Sequence, residues 1–194
     1  MPTELQLPIS ESAVRALKTG DVVALSGRIV TGRDAAHAFL VEHDRPEYRE
    51  LLEGSFIYHC GPVVNRTSDG WEFVSAGPTT SIREEPYQDL VIERYGLRGV
   101  IGKGGMGART LAACRKFGAV YLHAIGGAGA VIADSVRRVV EVRMLEEFGV
   151  PEAFWVIDVE RLPAIVTMDS HGKSLHDTVL ERSGEALSKL LATK

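Results

Sequence analysis

Short apolar runs alternate with helical patterns along the chain, and glycine punctuates them. Val22-Val23-Ala24-Leu25 reads as a buried strand, and a glycine turn leads on to Ile29-Val30. Phe56-Ile57-Tyr58-His59, Trp71 to Val74, Arg98 to Ile101 and Val120-Tyr121-Leu122 are further strand-length runs. Phe154-Trp155-Val156-Ile157 and Ala164-Ile165-Val166 add two more near the C-terminus. Helical spacing lies between them. Ala35, Ala36, Phe39 and Leu40 share one face of a helix that Thr31-Gly32-Arg33-Asp34 opens and that lasts to about Val41. Asp34 suits the positive end of its dipole.

Ser10 can cap a helix reaching about Lys18, which Gly20 can close, and a short helix is expected from Tyr48 to Leu52. Pro86 fits the first position of a helix ending at Gly96, and Ala108 to Phe117 predicts another, closed by Gly118. Asp69-Gly70 marks a hairpin, Ser170-His171-Gly172-Lys173 a turn, and Asp177 to Leu191 a polar C-terminal helix. Strands alternating with helices predict an α/β chain with functional loops. Repeats, low-complexity tracts and linkers are all lacking, so residues 1–194 are expected to form one domain.

Composition narrows the function. The chain has 194 residues, 45% of them hydrophobic and 25% charged, with a formal net charge of −4. No basic excess exists to neutralise phosphates, so a nucleic-acid partner is not expected. A basic start followed by an apolar run is missing, as is any stretch of about 18 apolar residues, which predicts a cytoplasmic chain without a membrane partner. Cys60 and Cys114 are the two cysteines, far apart, and read as buried small hydrophobes in a reducing compartment rather than ligands. No metal ligand is assigned to this chain.

Candidate chemistry sits in the glycine loops. Gly102-Lys103-Gly104-Gly105-Met106-Gly107 matches a dinucleotide fingerprint in form, but it lies past mid-chain and no acidic residue follows about 20 positions later. A Walker loop fails too, because no Ser or Thr follows Lys103. A lysine between glycines at a helix start remains suited to binding an anion. Gly77-Pro78-Thr79-Thr80-Ser81-Ile82-Arg83 places three hydroxyls beside a guanidinium, and Gly32-Arg33-Asp34 adds another arginine. If they converge, Arg33, Arg83 and Lys103 would make a pocket for a small dianion. A threonine hydroxyl there becomes a useful base only with cations close by. His37, His59, His123 and His171 are read first as packed or solvated side chains, with His37 able to orient a neighbour.

The ordered set of these stretches resembles the β subunit of class I fumarate hydratases and L(+)-tartrate dehydratases, a module that also forms the C-terminal part of single-chain class I fumarases. The matching stretches are Gly32-Arg33-Asp34-Ala35-Ala36-His37, His59-Cys60-Gly61-Pro62-Val63-Val64, Gly77 to Ser81 with Arg83, Gly102 to Met106, and Pro163-Ala164-Ile165-Val166-Thr167-Met168-Asp169. The resemblance implies a swivelling β/β/α domain, three-layered with a mixed sheet. It implies a hydro-lyase acting on a small dicarboxylate, with Arg33, Arg83 and Lys103 holding carboxylates and Thr79 as the base. It also implies a four-iron four-sulfur (4Fe-4S) cluster carried by a partner α subunit, which would add an acidic residue. The assembly implied is two α and two β subunits. Fumarate is placed ahead of tartrate as substrate, with mesaconate third. A non-catalytic dicarboxylate-binding module is the alternative from another class, and a dinucleotide-binding protein the outsider.

Overall fold

The computed structural model describes residues 1–43 and 45–192. The chain begins with β1 (Thr3–Gln6), α1 (Glu11–Arg15), β2 (Val22–Thr31), α2 (Asp34–Glu42), α3 (Pro46–Leu52) and β3 (Phe56–Tyr58). A hairpin follows, β4 (Val63–Thr67) and β5 (Gly70–Ser75), then a 3-10 turn (Ser81–Glu84) running into α4 (Glu85–Tyr95). Next come β6 (Gly99–Gly102), α5 (Ala108–Phe117), β7 (Val120–His123) and α6 (Gly129–Ala133). The chain ends with β8 (Val136–Arg143), α7 (Leu145–Phe148), β9 (Phe154–Met168) and α8 (Leu175–Ala192).

The described residues form a seven-stranded mixed sheet in the order β1-β2-β3-β6-β7-β9-β8, with β2 also paired to β9. Neighbouring strands β2, β3, β6 and β7 run parallel, so their C-terminal ends open on one edge. That edge is where open α/β sheets hold ligands. Two apolar cores flank the sheet. Leu40, Tyr48, Leu52, Ile92 and Cys114 fill the helix side. Trp155 and Phe73 lead the other side, where the β4–β5 hairpin covers the sheet and the Trp71 ring meets Trp155 at 5.3 Å. The result is the expected mixed-sheet α/β architecture, with helices on one face and a small second sheet on the other. Each fully buried large apolar side chain contributes about 1.5–3 kcal/mol.

Several expected elements differ in extent. The segment from Val22 to Thr31 is one strand rather than two, because the glycine turn is a bulge with a register shift between Leu25 and Gly27. The two C-terminal runs are likewise one strand of 15 residues. Its polar middle alternates outward, where Asp158 pairs with Arg28 and Arg138, and Glu160 with Arg137. The first helix stops at Arg15, three residues short of Lys18, although Ser10 caps it by accepting from the Ala13 N–H. Three strands bury little. β1 buries only Leu5, and β4 and β8 have no fully buried residue. Among the described residues no helix is long and apolar enough to cross a membrane.

Candidate active site

Three strand ends and one returning loop build the site. Arg33 follows β2 as the residue preceding α2, His59 and Cys60 follow β3, and Lys103 follows β6. The segment after β5 comes back to these ends and threads between them. The Thr79 N–H donates to the His59 carbonyl at 2.7 Å, and the Lys103 N–H donates to the Thr79 carbonyl at 3.2 Å. Ser81 N–H then donates to the Lys103 carbonyl at 3.0 Å. Cys60 bridges Pro78 and Thr80 bridges Lys103 in short β pairings. The Thr79 and Lys103 backbones are therefore locked together by main-chain bonds, independently of any side chain.

Side chains then meet across this frame. Arg83 Nη2 donates to Thr79 Oγ1 at 3.2 Å and lies 3.1 Å from Asp34 Oδ2. Arg33 Nη2 lies 3.3 Å from Glu152 Oε1 and 4.0 Å from the same Asp34 oxygen. Glu152 also accepts from the Ala35 N–H at 3.1 Å, which fixes it at the start of α2. Asp34 thus sits between the two arginines. The Arg83–Asp34 pair is nearly half exposed, at 46% and 43%. Such exposed pairs hold by only about 0–1 kcal/mol, so a ligand carboxylate can displace this one. Lys103 has no carboxylate partner among the described residues, and its stem runs beside Gly126. All four residues expected from the sequence stand on one sheet edge, with Thr79 tied directly to Arg83 and, through its backbone, to Lys103.

Two glycines are required by close approach. A Cβ on Gly61 would lie 2.7 Å from Arg33 Nη1 and 2.9 Å from the Pro151 carbonyl, so any side chain there would push the guanidinium out. A Cβ on Gly102 would overlap Ser81 Oγ and stand 3.3 Å from His59 Nδ1.

Behind the exposed residues lies a buried polar layer. His37 Nδ1 is 2.8 Å from the Arg33 carbonyl, and its Nε2 is 3.0 Å from Gln88 Oε1. The same Gln88 oxygen is 2.8 Å from His59 Nε2. His59 Nδ1 reaches Ser81 Oγ at 2.9 Å, which also accepts from the Tyr121 hydroxyl at 2.9 Å. Burial pushes both histidines below their usual range, so they are neutral at physiological pH. His37 and His59 are packed, as expected, and they link the Arg33 loop to the Thr79 loop. His171 is held in its turn with Nε2 2.9 Å from the Arg15 carbonyl. His123 stands partly buried beside His176 at 6.1 Å between ring centres, where Nε2 of His176 is 3.0 Å from Thr167 Oγ1.

Sequence reasoning missed Glu84, Gln88 and Tyr121. Glu84 is fully buried, and no other described residue donates a hydrogen bond to its carboxylate oxygens. Burial first, and then the Asp34 charge, raises its pKa to about 7. Its signal was spacing: residues 84, 88, 91, 92 and 95 are buried at helical intervals, and two of them are polar.

No group of three or more His, Cys, Asp or Glu side chains among the described residues is arranged to hold a metal ion. Cys60 and Cys114 are buried in different cores, and burial pushes each thiol up to about 12.

Residues 2–179 match the family described as Fumarase C-terminus. A Geobacillus stearothermophilus protein named "Putative fumarate hydratase class I" is 53% identical over 95% of this chain and 35% of its own length. A Methanocaldococcus jannaschii protein named "Putative L(+)-tartrate dehydratase subunit beta" is 40% identical over 94% of this chain and 95% of its own length. The Escherichia coli protein named "L(+)-tartrate dehydratase subunit beta" is 41% identical over 88% of this chain and 85% of its own length. The chain therefore spans about a third of the first relative and most of the other two.

Proposed function

The chain belongs to the fumarase C-terminus family, and we propose that it is the β subunit of a cytoplasmic two-subunit hydro-lyase that reversibly hydrates fumarate to L-malate. The observation that carries this reading is Arg83 Nη2 donating to Thr79 Oγ1 at 3.2 Å, with Arg33 and Lys103 on adjoining loops. A dicarboxylate brings two charges to the site, and charge burial is costly unless it is compensated. Arg33, Arg83 and Lys103 compensate it. They also stabilise the doubly charged carboxylate that develops when a proton leaves the neighbouring carbon. Thr79 takes that proton as its alkoxide, whose cost of formation the Arg83 guanidinium lowers, and is left as the neutral hydroxyl.

The residues of this chain do not fit the iron–sulfur cluster that the family implies. Cluster ligands are thiolates, whereas Cys60 and Cys114 are buried apart and held protonated. On the family resemblance, the cluster is assigned to a partner α subunit, which would also contribute an acidic residue, in an assembly of two α and two β subunits. This chain's share is the clamp and the base.

L(+)-tartrate dehydratase is the second reading, favoured by relatives of matching length that carry that name at 40–41% identity. Fumarate stands first because the relative with that name shares 53%. The test is reconstitution. The chain should be colourless and inactive alone, and active with a cluster-loaded α subunit, with kcat/KM higher for L-malate than for L(+)-tartrate. Turnover by the iron-free chain would sink the two-subunit reading. A preference for tartrate would select the second.

A further inference from the structure

Glu84 ends the 3-10 turn that carries Arg83, and no other described residue donates a hydrogen bond to its buried carboxylate oxygens. Its neighbour Glu85 is treated differently, accepting from the N–H groups of Gly107, Arg109 and Thr110 at the start of α5. The groups facing Glu84 can be named element by element. His59, beyond β3, places Nδ1 3.9 Å from Oε2. Asp34 and Arg33 act on it from the start of α2, Arg83 from its own turn and Tyr121 from β7. Gln88, one turn along α4, is engaged with His37 and His59. Burial keeps His59 neutral and raises the Tyr121 phenol, so neither supplies charge. The charges that Glu84 feels are Asp34 and the two clamp arginines.

We propose that Glu84 is a positioning residue of the dianion clamp: it takes up one proton from solvent when Arg33 and Arg83 bind a dicarboxylate. The inference rests on the clamp reading above. An ionised Glu84 would offset part of the arginines' positive charge, while a neutral one leaves the whole of it to the ligand. The coupling is reciprocal. Negative charge placed on the clamp raises the proton affinity of Glu84, and a proton on Glu84 raises the affinity for the dianion. Because burial already holds this carboxyl near neutrality, a modest further rise completes the protonation at physiological pH. No covalent bond other than the carboxyl O–H forms, and Asp34 is released from Arg83 by the incoming carboxylate.

The test uses the chain with carbon-13-labelled glutamate carboxyls, followed by NMR across pH with and without saturating succinate, a dicarboxylate that cannot be hydrated. One carboxyl should titrate near neutral pH, be missing in Glu84→Gln, and move to higher pH when succinate is bound. Above the range where succinate itself titrates, its affinity for the wild type should fall by up to about tenfold per pH unit, and Glu84→Gln should flatten that profile. The wild-type titration is decisive without the variant. A Glu84 carboxyl that titrates in the ordinary glutamate range, or does not move while Arg83 and Thr79 signals report bound succinate, overturns the inference alone. If those signals ignore succinate at every pH, the clamp reading falls and takes this inference with it.

Discussion

Asp169 and Glu84 are both fully buried acids at turns, and the protein treats them in opposite ways. Asp169 closes the turn after β9 by accepting from three backbone donors: Thr19 N–H at 3.1 Å, His171 N–H at 2.9 Å and Lys173 N–H at 3.0 Å. Those bonds tie the C-terminal turn to the loop before β2. Glu84 has no such donor from any other described residue and feels instead the charges of Asp34, Arg83 and Arg33. A carboxylate surrounded by N–H groups is an internal staple. A carboxyl without such donors, in the field of two arginines, is sensitive to whatever binds those arginines. Residue type does not distinguish the two, whereas the supply of hydrogen-bond donors does.

The sharpest separation of the two regions comes from Thr79. Thr79→Val in the assembled enzyme should lower kcat by about 10²–10⁴-fold, with binding and thermal stability changed far less, because the Thr79 backbone bonds survive. Stopped-assay kinetics beside thermal melts check this. Lys103→Ala and Arg83→Ala should each reduce kcat/KM by roughly tens- to thousands-fold, the range set by about 2–5 kcal/mol for unpairing a desolvated charge. Near-normal kinetics in either folded, assembled variant would remove that residue from the site.

The opposite pattern is expected at the other turn. Asp169→Ala leaves three N–H groups without their acceptor and should cost about 3 kcal/mol of stability, while the folded fraction keeps its kcat. Denaturant titration together with active-site counting measures both. If activity per folded molecule collapsed instead, Asp169 would belong with the clamp.

Glu84→Gln gives the smallest effect and the most specific pH signature. The folded pKa, about 7, lies above the ordinary glutamate value. Between those two values the unfolded chain loses the proton while the folded chain keeps it, so wild-type stability falls as pH rises through that window and levels off above it. The variant should therefore gain about 1–3 kcal/mol over wild type above neutral pH and lose the advantage in acid. Urea melts at several pH values will show it, and a pH-independent difference would contradict the raised-pKa description. His37 and His59 act in the other direction. Their pKa values are lowered, so both forms of the protein lose stability as pH falls below the ordinary histidine range.

The sequence exposed the parts of the site more readily than their assembly. Arg33, Thr79, Arg83 and Lys103 stood out because glycine loops after apolar runs are local patterns. Their convergence depends on β2, β3 and β6 lying side by side, which is set by pairing between distant segments. The same non-local pairing joins Phe154–Ile157 to Ala164–Val166 in one strand, since β2, β7 and β8 all bond to β9. β8 escaped notice because its Arg137, Arg138 and Glu141 face outward in ion pairs, which masks any apolar alternation. Glu84 and Gln88 carry no motif at all. They differ from surface residues only in occupying the buried stripe that runs from the 3-10 turn into α4, and their roles follow from what the fold places opposite them.

The most direct test of the central claim follows the substrate's carbon-bound hydrogen in deuterated solvent, using the assembled, cluster-loaded enzyme. Wild type should exchange that hydrogen at a rate comparable to turnover. Thr79→Val should still bind L-malate through Arg33, Arg83 and Lys103, yet exchange should be lost in step with kcat. Exchange at the wild-type rate in Thr79→Val would show that another group removes the proton, and would contradict the assignment of Thr79 as the base.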